Sequence, residues 1–193
     1  MAWVSASYPP FPLDGHEATW ETWDGAHRES FTIGWENEGW TASGIVGREG
    51  VQYVLRLNTS FQVRQFLLFR DLEEPDLWLA TDGSSRWGEM NGAHRPDLDG
   101  CYDLHLTCTP FSLTLPIRRL PLLVGHTADI TVATVDVETL ELLPEHQRYT
   151  RLGTHRWAFT RLDADGAEGE LIEFDVDEHG LARDTPRRFR RTG

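Results

Sequence analysis

Lysine is absent from this 193-residue chain, and all 18 of its basic residues are arginine. Without lysine, no side chain can form a Schiff base, act as a lysine general base or bind phosphate through an ammonium group. The 31 acidic residues outnumber the arginines and give a net charge of −13, which repels nucleic-acid backbones and anionic membrane surfaces. The composition therefore excludes lysine-dependent enzymes and argues against nucleic-acid binding.

An export signal and a long apolar run are also missing. The first ten residues contain no basic segment, and two prolines interrupt them before an apolar run of signal length can form. The densest apolar stretch, Leu113 to Val124, is broken by prolines and arginines and is shorter than the roughly 18 residues of a membrane helix. We therefore expect a cytoplasmic protein without integral membrane association.

Cysteine is scarce, and no metal-binding or catalytic motif is present. Cys101 and Cys108 lie in one alternating run at an odd spacing, which points them to opposite faces of a strand and excludes a disulfide between them. Two free thiols are typical of a reducing compartment. The eight histidines form no His-x-His or His-Glu-x-x-His pattern, and there is no nucleotide-binding loop. We expect no metal and no cofactor.

What the chain does have is alternation of apolar and polar residues with a period of two, as in strands with one buried face. Val51, Tyr53, Leu55 and Leu57 give the clearest example. Turns rich in glycine and aspartate separate many of these runs. Further strands are expected at 31–35, 61–71, 77–81, 86–90, 101–109, 129–137, 146–152, 154–162 and 168–177.

Sustained helical periodicity is not found, and only short turns at 116–120 and 137–142 are candidate helices. So many consecutive strands must hide their edges by closing or stacking. The sequence therefore predicts a mainly β fold: a single antiparallel, strongly curved sheet forming an open or half barrel, with few short helical turns. We expect one domain over 1–193, with the N-terminal extension 1–13 and the basic tail 183–193 peripheral to it.

The segment from Thr109 to Leu120 is unusual because two prolines constrain it and two arginines, Arg118 and Arg119, lie among apolar residues. Burial of an arginine is costly unless the charge is paired or reaches water. Two interpretations are open. One arginine faces the polar head group of a ligand, or one arginine pairs with Asp103 or Asp99 and holds the segment against the sheet.

Six segments carry a resemblance to a known family: Gly15-His16-Glu17, Arg86-Trp87, 98–104 (LDGCYDL), 109–120 (TPFSLTLPIRRL), Gln147-Arg148-Tyr149 and 176–181 (VDEHGL). In these segments the chain resembles the putative glycolipid-binding family, formerly a domain of unknown function. The resemblance implies an antiparallel open or half barrel similar to bacterial lipoprotein carriers. It also implies a concave apolar surface suited to acyl chains, and hence a lipid or glycolipid-like amphiphile as partner.

Twelve residues are candidates for binding such an amphiphile in the concave face of the sheet, without an enzymatic step. The apolar candidates, each of which could equally be a core residue, are Trp78, Trp87, Trp157, Phe111, Leu113 and Leu115. The polar candidates are Arg118, Arg119, Asp103, His16, Glu17 and Tyr149. Of the two adjacent arginines, one is expected to point inward.

Two other interpretations stay open. The first is a small cofactor-independent enzyme, a hydrolase or isomerase, with His16 or His105 as base, a carboxylate to orient it and an arginine to stabilise an oxyanion. It requires these groups to meet in a pocket. The second is a module that docks a partner through a sheet face or the basic tail, which requires an exposed apolar patch. The sequence assigns no oligomeric state.

Overall fold

The computed structural model of the chain describes residues 8–47, 50–71 and 73–193. The fold is mainly β, as predicted, and the described residues form thirteen strands, one α-helix and a short 3-10 turn at Pro96–Leu98. Helix α1 is Phe111–Arg119. The strands are β1 His16–Thr22, β2 Arg28–Glu36, β3 Gly39–Val46, β4 Val51–Leu57, β5 Val63–Phe69, β6 Leu77–Thr81, β7 Trp87–Glu89, β8 Asp103–Leu106, β9 Thr127–Val135, β10 Leu142–Arg151, β11 Arg156–Leu162, β12 Ile172–Asp175 and β13 Phe189–Arg191.

The strands divide into two sheets, which corrects the expectation of a single sheet. Sheet A has eight strands in the order β13-β1-β2-β3-β4-β5-β6-β7, and sheet B has five in the order β12-β11-β10-β9-β8. Sheet B is a curled half-barrel, whereas sheet A is large and not strongly curled. After β7 the chain leaves sheet A, and β8 pairs with β9 in sheet B instead of extending sheet A.

The pairing of β8 with β9 is parallel, whereas the expectation was antiparallel pairing. Parallel neighbours need a crossover connection of a dozen residues or more, commonly a helix. The connection from 107 to 126 contains helix α1 and satisfies this requirement. The segment predicted to be a helical turn at 116–120 is thus the end of a longer helix, whereas 137–142 forms a turn with no helix.

Helix α1 is buried between the two sheets. Phe111 and Leu115 belong to a large core formed mainly with sheet A, and Leu113 and Ile117 belong to a smaller core with β10, β11 and β12 of sheet B. Residues four apart lie on one helix face, so these two pairs form opposite faces. The helix is therefore apolar on both sides and joins the two cores.

The basic tail, expected to be peripheral, contributes the edge strand of sheet A. Strand β13 pairs with β1, with Arg191 opposite Trp20. The Arg191 guanidinium donates a hydrogen bond to Asp177 at 3.1 Å and lies 5.2 Å from the centre of the Trp20 ring. Phe11, within the expected N-terminal extension, is buried in the large core; residues 1–7 of that extension lie outside the described residues.

Three further findings bear on function. Among the residues that the structure describes, no helix has the length and apolar character to cross a membrane. No group of three or more His, Cys, Asp or Glu side chains in that same part of the chain could hold a metal ion. Cys101 and Cys108 are both free thiols.

Candidate functional site

The two arginines that end helix α1 have different surroundings, and Arg119 forms a buried ion pair. Its Nε lies 3.0 and 3.1 Å from the two carboxylate oxygens of Asp103 on β8, and its terminal nitrogen Nη2 lies 2.5 Å from Oδ2 of Asp103. Asp103 has no exposed surface. Burial, followed by the charge of Asp103, raises the pKa of the nearby Tyr149 hydroxyl well above its usual value. The ion-pair interpretation therefore applies to Arg119.

Arg118 lies against aromatic rings beside the N-terminal segment. Its guanidinium carbon is 4.7 Å from the centre of the Phe11 ring, and it donates hydrogen bonds to the carbonyl oxygens of Pro9 at 3.1 Å and His179 at 2.5 Å. The His16 ring belongs to the same cluster, 4.9 Å from the His179 ring. Burial lowers the pKa of Arg118 to about 10. Arg118 thus joins the N-terminal segment to the turn that contains His179.

The other candidates from the sequence divide between the cores and the surface. Those in the large core are Phe111, Leu115 and Trp87, and those in the smaller core are Leu113, Tyr149 and Trp157. Glu17 is exposed and Trp78 is half-buried on β6. The structure therefore groups Asp103 with Arg119 and Tyr149, and His16 with Arg118, but it does not gather the twelve residues into one site. Their role in ligand binding stays a prediction.

A pocket of about 380 Å³ lies between sheet B, the start of helix α1 and the basic tail. We call it the inner pocket. Its apolar lining residues are Leu106, Pro110, Leu113, Phe159, Ile172 and Phe189. Its polar lining residues are His105, Thr107, Thr109, Arg161, Thr185 and Arg188. The volume falls within the roughly 300–1,000 Å³ of small-molecule sites, and apolar walls with a few polar groups are typical of such sites.

The curl of sheet B forms this pocket. His105 on β8 stacks on Phe159 of β11 with ring centres 6.0 Å apart, although β9 and β10 lie between these strands in the sheet. Strands two or more places apart come this close only when the sheet bends toward closure. The inner pocket therefore lies on the concave face of sheet B, and Leu113 is the sequence candidate that lines it.

Two buried polar atoms of the pocket lining have no hydrogen-bond partner among the described residues. They are Nδ1 of His105 and Oγ1 of Thr185. The Nε of Arg161 lies 3.1 Å from Oε1 of Glu145 and belongs to an ion pair. His105 is 6% exposed and Thr185 is 1% exposed. Leaving a buried polar group unpaired costs about 1–3 kcal/mol, and native proteins rarely do so without a reason. Two such atoms in one pocket make it a candidate site, where a ligand would supply the missing partners.

The charged side chains in the lining are both cationic. Arg161 forms an ion pair with Glu145 at 3.1 Å, whereas Arg188 has no ion-pair partner within the described ranges. Burial, and after it the charge of Arg161, lowers the pKa of Arg188. Burial, helped by the same two arginines, lowers the pKa of His105 to about 3. The imidazole is therefore neutral near pH 7, and the pocket carries positive charge.

A larger cleft of about 1110 Å³ lies at one end of sheet A, and we call it the end cleft. It is formed where the turns after β1, β3 and β9 approach the end of β5. Its cation, Arg70, is bound by Asp76 at 3.2 Å and by the carbonyl oxygen of Glu138 at 2.9 Å. The arginine of the end cleft therefore has a carboxylate partner, whereas Arg188 of the inner pocket has none among the described residues.

A buried carboxyl group lies between the end cleft and the inner pocket. Burial raises the pKa of Glu29 to about 7, and the Tyr53 hydroxyl donates a hydrogen bond to it at 2.6 Å. The Thr109 hydroxyl, which lines the inner pocket, is 3.3 Å from the Tyr53 oxygen. Gly44 makes this arrangement possible, because a Cβ atom there would lie 2.4 Å from the Tyr53 ring.

Among the lining residues of the inner pocket that the sequence did not single out as ligand-binding are the polar residues Arg161, Arg188 and Thr185. In an alternating sequence they are indistinguishable from the polar residues of exposed strand faces and turns. One signal was present: His105 is a titratable residue between two leucines, in a strand whose four residues are all buried. Its low pKa does not favour the role of catalytic base that the enzyme interpretation gives it.

Comparisons with known proteins add three findings. A family model described as putative glycolipid-binding matches residues 17–191 of the chain. The crystal structure of a DUF1089 family protein from Pseudomonas aeruginosa is similar, with a TM-score of 0.69 and 27% sequence identity over 100% of this chain and 98% of that chain. No curated protein matches.

Proposed function

Given that the chain belongs to the putative glycolipid-binding family, whose model matches residues 17–191, we propose that it binds a lipid or glycolipid-like amphiphile in the inner pocket without altering it chemically. The observation that supports this function best is the composition of the pocket. Apolar side chains of sheet B and helix α1 line it together with buried polar atoms that have no hydrogen-bond partner among the described residues. An amphiphile has both kinds of surface.

The alternative of an enzyme with a histidine base receives less support from this pocket. With a pKa of about 3, His105 is a weak base, since efficient general bases have pKa values near the working pH. The pocket lining within the described residues contains no carboxylate to orient the imidazole. His16 belongs to the aromatic cluster around Arg118, where its Nε2 is buried. Binding without chemistry therefore fits the geometry better.

The inner pocket is preferred over the end cleft for a similar reason. The end cleft is larger, but its lining includes Asp71, Asp76 and Glu138 against a single arginine, Arg70. Three carboxylates at an opening disfavour entry of an acyl chain, which gains free energy from contact with apolar surface. The inner pocket has no acidic lining residue in the described chain.

The test compares two tryptophan substitutions at exposed positions. Thr107 lines the inner pocket and Ala26 lines the end cleft, and both are exposed, so a tryptophan at either position is compatible with folding. Protein purified without detergent is examined by native mass spectrometry and titrated calorimetrically with decanoate, decyl phosphate, 1-decanol and decyl maltoside below micelle-forming concentrations. We expect at least one of these to bind, one molecule per chain.

The expected outcome is that Thr107→Trp abolishes this binding and Ala26→Trp does not. The reverse pattern would move the site to the end cleft and contradict the proposal for the inner pocket. If none of the four decyl compounds binds, and the purified protein carries no lipid on organic extraction, the proposed function is wrong.

A further inference from the structure

The inner pocket also indicates the chemical class of its ligand. On the premise of the proposed function, we propose that the ligand carries an anionic head group, a carboxylate or a phosphate monoester, that is bound by Arg188 and Arg161. The family description refers to glycolipids, whose sugar hydroxyl groups are neutral, so this inference selects among amphiphiles that the proposed function leaves open.

The first argument is the hydrogen-bonding character of the unpartnered atoms. Oγ1 of Thr185 carries a hydrogen, and Nδ1 of His105 can carry one in the neutral ring. Both can therefore act as donors. An ionised carboxylate or phosphate oxygen accepts without donating, so one anionic group can satisfy both of these donors at once.

The second argument is the distribution of charge. The acidic residues near the pocket already have partners: Glu145 pairs with Arg161 and accepts a hydrogen bond from Gln147 at 2.5 Å, and Glu170 pairs with Arg187. Arg188 is left without a counter-ion in the described chain and faces the like charge of Arg161, which contributes to lowering its pKa. An anion beside Arg188 would supply the missing charge.

The third argument is the position of the apolar surface. Leu113 on helix α1, with Phe159 and Ile172 on sheet B, lines the same pocket as the two arginines. All three apolar residues are buried. An alkyl chain can lie against them while its head group reaches Arg188, and a short anion leaves this apolar wall without a partner. The geometry therefore fits an anionic amphiphile better than a free anion.

The experiment measures dissociation constants for four decyl compounds with the full chain, by isothermal titration calorimetry at pH 7 in low salt. Decanoate and decyl phosphate are anionic, and 1-decanol and decyl maltoside are neutral. Acetate and inorganic phosphate serve as anions without a chain. We expect the anionic amphiphiles to bind at least roughly tenfold more tightly than the neutral ones, because charge-assisted hydrogen bonds are stronger than neutral ones. Raising the ionic strength should reduce that difference.

Two variants locate the preference. Arg188→Gln removes the unpaired cation, and we expect it to reduce the preference for decanoate over 1-decanol by roughly tenfold. Arg183→Gln is the matched control, because Arg183 is exposed in the same tail and does not line the pocket. It makes the same change in net charge and should leave the preference unchanged. In Thr185→Val, a methyl group of nearly the same size replaces the buried hydroxyl. This substitution should weaken the binding of decanoate more than the binding of 1-decanol.

The outcomes separate this inference from the proposed function. Equal affinity for anionic and neutral amphiphiles would contradict the proposal of an anionic head group, but it would leave the proposed function of amphiphile binding standing. If acetate or phosphate binds as tightly as the decyl anions, the charge argument is supported, but the proposal that the ligand is an amphiphile is contradicted. If Arg188→Gln and Arg183→Gln reduce the preference for decanoate over 1-decanol equally, that preference comes from the overall charge of the protein. The proposed role of Arg188 would then be wrong.

Discussion

Glu29 shows how one buried residue makes the stability of the protein depend on pH. Its side chain is 2% exposed on β2, and burial raises its pKa from 4.5 to about 7. Between these two values the folded protein keeps a proton that the unfolded chain releases. Protonated Glu29 therefore contributes its full stabilisation of the folded state below pH 4.5, and this contribution is lost as the pH rises through about 7. The loss amounts to about 3 kcal/mol in the free energy of unfolding.

We predict that Glu29→Gln removes this dependence, because glutamine still accepts the Tyr53 hydrogen bond but does not ionise. The difference in the free energy of unfolding, variant minus wild type, should increase by about 3 kcal/mol between pH 4.5 and pH 8. Urea denaturation across this range measures it. The contribution of His105, whose low pKa gives the opposite slope, cancels in the comparison.

The matched control for this prediction is Glu17→Gln on the neighbouring strand β1, where the carboxyl group is exposed. Its difference from the wild type should stay constant across the same pH range. A constant difference for Glu29→Gln as well would show that Glu29 titrates as an ordinary surface carboxyl.

At the scale of single residues, the sequence allowed one contact between candidate residues to be predicted, the pairing of an arginine with Asp103. A partner for one of the two arginines could be named in advance, because a buried guanidinium needs a carboxylate and Asp103 was near in sequence. Which of the two arginines forms the pair could not be predicted, because successive helical residues point about 100° apart and the sequence pattern predicts only the last turn of helix α1. Arg188 could not be identified either, because its importance follows from tertiary neighbours.

Helix α1 shows the limit of sequence patterns at the scale of an element. A helix at a protein surface is recognised by one apolar face, but this one is buried on opposite faces from Phe111 to Ile117. Pro116 inside it also argues against a helix. Most strands were predictable because sheet edges and faces enforce alternation, whereas the boundary between two sheets leaves no mark in that pattern.

We predict different consequences for two matched substitutions on the two faces of this helix. Leu115→Ala creates a void in the large core, where Leu115 is fully buried, and should reduce the free energy of unfolding by about 2–5 kcal/mol. Leu113→Ala enlarges the existing inner pocket and should cost less, because part of the void joins a space already open to solvent.

Binding distinguishes the two variants further. Leu113→Ala should weaken the binding of decyl amphiphiles, because it removes part of the apolar wall. Leu115→Ala should leave their affinity unchanged under conditions where it stays folded. Chemical denaturation and calorimetric titration measure both quantities, and an equal loss of affinity in the two variants would contradict the assignment of Leu113 to the binding wall.

At the scale of the whole molecule, several contacts join the two sheets into one structure. Helix α1 places side chains in both cores. The indole nitrogen of Trp20 on sheet A donates a hydrogen bond to the carbonyl oxygen of Ala182, which packs in the smaller core. The inner pocket itself is lined by sheet B together with Phe189 of sheet A. Loss of either sheet would therefore expose the buried surface of the other.

We predict that the chain unfolds as the single domain expected from its sequence, in one cooperative transition. Two matched substitutions test this. Phe66→Leu affects only the large core and Phe174→Leu only the smaller one, and both phenylalanines are buried. Each should lower the midpoint of the same transition by several degrees. Calorimetric and van't Hoff enthalpies should agree for the wild type and both variants. Separate cores would instead give two transitions, with Phe174→Leu shifting one and Phe66→Leu the other, and the inner pocket would then be lost at the lower of the two.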